Sequence, residues 1–206
     1  EQDPGKVHKA AKAEQLVKLA YLKQLAARLK LPAVLDWIDN FLVNSDGKLI
    51  VFAIHRAIIS KLHGRYVNSS VVVDGSVTGR KRQMAIDKFK NNKKTRLFFG
   101  NIKAAGLGWS AKGVSAVAFA ELAWSPGAHT QAEARVHGIG RGEQDKHSMI
   151  YYLVGNSTIE VPMMKLIQSK QKVVSDVLDH GKDTDPLDIF DRLCLQLQKE
   201  SSNGKQ

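Results

Sequence analysis

Cysteine is almost missing. Cys194 is the only one in 206 residues, which excludes an internal disulfide and any cysteine-based metal site and points to a reducing compartment. No apolar run is long enough to span a bilayer, and no secretory signal pattern is present. The seven histidines are scattered, without His-Glu-x-x-His or other metal spacing. There is no Gly-x-x-x-x-Gly-Lys-Ser/Thr loop to cradle phosphates, no Asp-Glu pair at a strand end to hold magnesium, and no Gly-x-Ser-x-Gly elbow. Free-standing catalysis has no visible machinery. Carboxylates are also scarce: 20 Asp and Glu face 31 Lys and Arg, a net charge of +11. That balance favours a polyanionic partner, most often nucleic acid, with an acidic membrane surface as the rival.

What is present is an ordinary globular composition, 43% hydrophobic and 25% charged, enough for one domain with extensions. The chain opens Glu1-Gln2-Asp3-Pro4-Gly5 without methionine and is read as a piece of a longer protein. Asn68 and Asn156 sit in glycosylation-type triplets, which carry no weight in a chain of intracellular character.

Leu16, Leu19, Ala20, Leu22, Leu25, Ala26 and Leu29 recur at helical spacing. Pro32 punctuates that run, and a second helix is predicted over 33–43. Alternation follows: strands over 48–53, 71–73, 96–100, 114–121 and 148–154, with helices over 55–64, 79–91, 129–137 and 158–178 between or after them. A further helix is predicted over 186–199. Met84, Ile86 and Phe89 are the buried candidates of the 79–91 helix, and the wholly apolar 114–121 strand is expected at the sheet's centre. Such alternation means an α/β fold, a parallel sheet covered by helices on both faces. The predicted organisation is an N-terminal helical extension (1–46), the sheet domain (47–172), a C-terminal helical extension (173–200) and a disordered tail (201–206).

Gly106-Leu-Gly108-Trp-Ser-Ala111 matches a dinucleotide-binding pattern, with Glu121 as its acidic residue. Only Lys112 and Gly113 separate it from the next strand, so the required crossover helix does not fit. The glycines serve either a close backbone approach or plain turns. Basic residues cluster at Arg80-Lys81-Arg82, then Lys88, Lys90, Lys93, Lys94 and Arg96. With Lys103 they form a candidate phosphate track, though any one of them reads equally as a solvated charge. Trp124 fits a core or hinge residue better than a base-stacking platform.

Four segments, in order, resemble the second RecA-like lobe of Swi/Snf-family DNA-dependent ATPases, closest to the annealing-helicase branch. They are Gly47-Lys-Leu-Ile-Val-Phe-Ala-Ile-His55; Asp74-Gly75-Ser76 with Arg82 and Phe89; Ala104-Ala105-Gly106-Leu-Gly108; and Val117-Ala-Phe-Ala-Glu121-Leu-Ala-Trp124-Ser-Pro126-Gly127 running into Gln131-Ala-Glu-Ala-Arg135-Val-His137. Thr158-Ile159-Glu160 fits the start of the helix beyond. The resemblance covers roughly residues 31–172.

It implies a RecA-like lobe that closes over ATP and Mg2+ held by an N-terminal ATPase lobe of the same protein. Arg135 would be an arginine finger, with Gln131 and Arg141 beside it, and Gly106, Gly108, Gln131 and Arg135 would face the nucleotide. Double-stranded DNA would be gripped through His55, Arg56, Arg80, Lys81, Arg82, Asn101, Lys103 and Trp124. The implied location is the nucleus in a eukaryote, or the cytoplasm and nucleoid in a prokaryote. One departure stands out. The family reads Arg-x-His-Arg-Ile-Gly-Gln where this chain has Arg135-Val-His137-Gly138-Ile139-Gly140-Arg141. A second finger is absent at Gly138, and Arg141 replaces a glutamine. Asn101 and Lys103 likewise stand where small hydroxyl residues are common.

Overall fold

The computed structural model describes residues 4–102, 114–137 and 148–176, together with Arg192; for 4–12, 134–137 and 170–176 it describes the backbone. Two helices come first, α1 (Pro4–Leu29) and α2 (Leu31–Asn44). The break between them is one residue long, and Pro32 lies in the first turn of α2, where its missing N–H costs nothing. Then follow β1 (Lys48–Ala53), α3 (Arg56–Arg65), β2 (Ser70–Val73), α4 (Gly79–Asn91), β3 (Leu97–Asn101), β4 (Val114–Phe119), α5 (Pro126–His137), β5 (Met149–Tyr152) and α6 (Glu160–Asp176). The helix predicted over 186–199 lies outside the described residues, apart from helical Arg192.

The sheet order is β2-β3-β1-β4-β5, and every pairing is parallel. Strand alternation sorts side chains onto two faces. Leu49, Val51, Leu97, Phe99, Ala116 and Ala118 pack with α2 and α3 through Val34, Ile38, Ile58, Ile59 and Leu62. Ile50, Phe52, Phe98, Val117 and Phe119 pack with α4 and α5 through Ile86, Phe89 and Ala132. Helices therefore cover both faces, as the alternation requires. Gly47, just before β1, packs so tightly that an added Cβ would meet Ser115 Oγ at 1.9 Å, a close approach only glycine permits.

Three expectations need correction. The apolar β4 is interior but not central; β1 holds the centre, and an interior strand buried on both faces reads the same wherever it sits. Met84 is 61% exposed while Ile86 and Phe89 are buried, because a side chain two positions before an inward one points away from the sheet. Arg96 does not belong to a phosphate track. Its guanidinium donates to the carbonyls of Gly47 (3.3 Å), Leu42 (3.1 Å) and Ser45, tying the end of α2 to the start of β3.

The inward side of α1 is not its leucine-rich side. Leu19, Lys23, Ala26 and Ala27 are buried, whereas Leu22 and Leu29 are exposed. At the α1–α2 junction Lys30 Nζ donates to both carboxylate oxygens of Glu160 (2.7 and 2.6 Å) and to the Leu153 carbonyl (2.5 Å). Glu160 has no exposed side-chain surface and also accepts from Gly155 N–H at 2.9 Å. Burial pushes the Lys30 ammonium below its usual range, opposed by the Glu160 charge. This pair fastens the helical N-terminus to the end of β5 and the first turn of α6.

Candidate nucleotide and DNA face

In an open parallel sheet, ligands meet the carboxyl ends of the strands. Here that rim is built around one fully buried carboxylate. Glu121, two residues past β4, accepts from the backbone N–H groups of Ile54 (2.8 Å) and His55 (2.9 Å) through Oε2. Its Oε1 lies 2.5 Å from His55 Nδ1. From the other side, Asn101 Nδ2 donates to the Ile54 carbonyl at 2.8 Å. The turn leaving β1 is thus held by both neighbouring strands, and the His55 ring is fixed in orientation. Glu121 therefore shapes the β1–α3 turn and has no dinucleotide role.

After β2, Asp74 makes an Asx-type turn: its Oδ1 accepts from Ser76 N–H (2.9 Å) and Ser76 Oγ–H (2.5 Å). Arg56 donates through Nε to Asp74 (3.2 Å) and through Nη2 to Ser76 (3.2 Å). The Ser76 hydroxyl, ahead of its N–H and the Arg56 charge, holds the Asp74 carboxyl below the usual range. Arg56 remains exposed beyond these bonds. The same turn leads into α4, whose first turn carries exposed Arg80 and Lys81 and half-buried Arg82.

Between the ends of β1, β3 and β4 lies a cavity of about 280 Å³, lined by His55, Asn101, Ile102, Trp124, Ser125 and, from α1, Lys23. Lys23 is only 3% exposed, with its Nζ 5.1 Å from the centre of the Trp124 ring, a cation–π arrangement. Three predicted DNA residues, His55, Asn101 and Trp124, thus converge on one cavity, and α1 forms its remaining wall. Lys23 was not foreseen. Its signal in the sequence is position: Lys23 stands four residues after Leu19 and three before Ala26, on α1's inward side.

Pro126 opens α5 beside this cavity, with Ala128 N–H bonded to the Ser125 carbonyl at 3.2 Å. The inward side of α5 is fixed by His129 and Ala132, both fully buried. His129 Nε2 lies 3.0 Å from the Ala123 N–H and 3.3 Å from the Ala123 carbonyl, while its buried Nδ1 has no hydrogen-bond partner. Burial pushes this imidazole down to about 4. Gln131 is exposed. Position 135 follows one turn later on α5, three residues beyond Ala132. The Arg135 side chain, and Lys103, Gly106, Gly108 and Arg141, lie outside the described residues.

Carboxylates at the rim are committed: Glu121 to the β1–α3 turn, Asp74 to Ser76 and Arg56, and Glu133 to the Tyr152 hydroxyl. Among the described residues no His, Cys, Asp or Glu cluster could hold a metal ion. Exposed Gln131 and Arg56 can each meet an anionic ligand's oxygens, Arg56 beyond its bonds to Asp74 and Ser76, whereas the committed carboxylates do not suit magnesium.

A five-stranded parallel sheet with this order, an acid-pinned first turn and a helix packed on the sheet after β4 define an α/β lobe of RecA-like type. Residues 30–140 match the helicase conserved C-terminal domain, and the chain belongs to that family. Similar proteins bear out the Swi/Snf resemblance. The DNA annealing helicase and endonuclease ZRANB3 of Mus musculus is 34% identical over 157 residues, 75% of this chain and 14% of the relative. The SWI/SNF-related matrix-associated actin-dependent regulator of chromatin subfamily A-like protein 1 of Xenopus laevis is 31% identical over 167 residues, 80% of this chain and 17% of the relative. The chain thus spans under a fifth of either. Among solved structures, the Sulfolobus solfataricus SWI2/SNF2 ATPase core in complex with dsDNA shares the fold at TM-score 0.62 and 20% identity, over 81% of this chain and 38% of that one. The C-terminal part of the Fun30 ATPase domain does so at TM-score 0.60 and 23% identity, over 80% and 53%. No helix among the described residues is long and apolar enough to cross a membrane.

Proposed function

We propose that this chain is the second motor lobe of an ATP-driven translocase or remodeller acting on duplex DNA. The observation that carries the reading is the rim. His55, Asn101 and Trp124 meet at one cavity, beside a helix that carries exposed Gln131 and, one turn later, position 135, in a chain of the helicase C-terminal family with net charge +11. ATP with Mg2+, carried by a first lobe, would supply the phosphoryl group whose transfer drives the cycle. In this chain Arg135 would meet the developing phosphoryl charge and Gln131 would orient beside it, an arrangement worth about 10³–10⁵-fold in rate for a finger. Arg141 would complete the set where Gly138 offers no side chain. Gly106 and Gly108 would let the segment between β3 and β4 approach the nucleotide. Arg56, Arg80, Lys81, Arg82 and Lys103 would bind DNA phosphates, which gives grip without sequence preference.

Two measurements test this. The isolated chain should hydrolyse no ATP, because the committed carboxylates leave magnesium to another body; turnover at the rate of an intact motor would overturn the reading. Duplex DNA affinity should fall steeply with salt as counterions are released, and a salt-insensitive affinity would remove the phosphate grip. Gly138 favours a second reading, a degenerate lobe that holds DNA or protein without turnover. An intact protein that binds DNA yet hydrolyses nothing would select it.

A further inference from the structure

The outward side of α1 is a continuous apolar surface. Val17, Tyr21 and Leu25 recur every fourth residue, with Leu22 and Leu29 adjoining, which sets them along one side of the helix. Val17 is 69% exposed, Tyr21 62% and Leu29 68%. Leu22, Leu25 and Leu29 form one wall of a groove of about 550 Å³, and Ile159, Val161 and Pro162 form the other. Its walls are anchored. Leu19 packs on Ile159 and Trp124, and Lys30 grips Glu160 at the groove's end. Contiguous exposed apolar surface beside a groove is a common mark of an interaction site.

We propose that the segment 186–199 of this chain docks in that groove. Leu187, Phe190, Cys194 and Leu197 repeat at spacings of three, four and three, an apolar stripe matched to a helix period. Charge agrees. Asp183, Asp185, Asp188 and Asp191 crowd the start of the segment, while Lys165 lines the groove and exposed Arg28 stands next to Leu29. Reach agrees as well. The groove lies at the start of α6, which runs to Asp176, roughly 25 Å away at 1.5 Å per residue. Residues 177–185 span up to about 30 Å when extended, so the segment can return antiparallel to α6 and lie between it and α1.

Cys194 supplies the test, because it is the only thiol and falls within the stripe. In the 206-residue chain, Leu22→Cys and Leu29→Cys each replace an exposed side chain, so neither threatens folding. Ser60→Cys, on exposed α3 surface away from the groove, is the control. Each variant is oxidised at low protein concentration and read by non-reducing electrophoresis and peptide mass spectrometry. A disulfide needs Cα atoms about 4.4–6.8 Å apart. The expected result is an intramolecular link from Cys194 to a groove position at least ~10-fold faster than to position 60. Adding Phe190→Asp to either groove variant should slow the link to the control rate. Equal rates at all three positions overturn the proposal, as does insensitivity to Phe190→Asp. Links that form only between chains and rise with concentration also overturn it, and assign the groove to a second copy.

Discussion

Replacing Lys30 by methionine should be among the most damaging single changes in the chain. The stem is preserved, so packing is nearly unchanged. What is lost is the ammonium that donates to both Glu160 oxygens at 2.7 and 2.6 Å and to the Leu153 carbonyl at 2.5 Å. The Glu160 carboxylate, with no exposed surface, would keep only the Gly155 N–H bond at 2.9 Å. Stranding one partner of a buried ion pair costs about 3–5 kcal/mol. For a chain of this size each kcal/mol lowers Tm by about 2–4 °C, so thermal unfolding followed by circular dichroism should show a drop of roughly 6–20 °C. The double variant Lys30→Met/Glu160→Leu removes both charges and should recover most of that loss. A single-variant shift under about 2 °C, or a double variant no better than the single, would refute the buried-pair reasoning.

Other consequences follow from the same geometry. His129 is neutral and buried, with its pKa lowered to about 4, while the unfolded chain titrates near 6.5. The unfolded state therefore binds more protons between these values. Stability is full above about 6.5 and falls as pH drops toward 4, by roughly 3 kcal/mol in all; urea midpoints against pH should show this slope, and His129→Gln should flatten it. Glu121→Ala unpairs the N–H groups of Ile54 and His55 and should cost about 2–5 kcal/mol at ~1–3 each with partial rehydration, seen as a lower denaturation midpoint together with weakened DNA binding. Arg80→Glu/Lys81→Glu alters two exposed charges, so the slope of log affinity against log salt should flatten by about one unit per lost phosphate contact, with unfolding unchanged; an unaltered slope would remove this turn from the DNA track.

Periodicity made the fold legible because each strand is short, apolar and bounded by turns. β1 and α4 follow directly from Lys48–Ala53 and Gly79–Asn91. The family resemblance named His55, Asn101 and Trp124 among eight candidate DNA residues, and the sheet brings these three to one cavity. What escaped are partnerships between residues distant in the chain. Lys30 and Glu160 are separated by 130 positions, and no local pattern marks them as a pair. Lys23 was hidden by its type, since a lysine within a leucine-rich helix reads as solvated until a tryptophan is found beneath its ammonium. Arg96 misled for the same reason: a basic residue in a basic run reads as surface, yet it is spent on three backbone carbonyls.

The most direct test of the motor reading is DNA-stimulated ATP hydrolysis by the intact protein, carrying its first lobe, before and after Arg135→Ala. Turnover should fall by about 10³-fold or more, with DNA affinity and thermal stability unchanged. Hydrolysis that survives the substitution within about threefold, against the 10³ expected of a finger, would contradict the assignment of this lobe's guanidinium to the transferring phosphate.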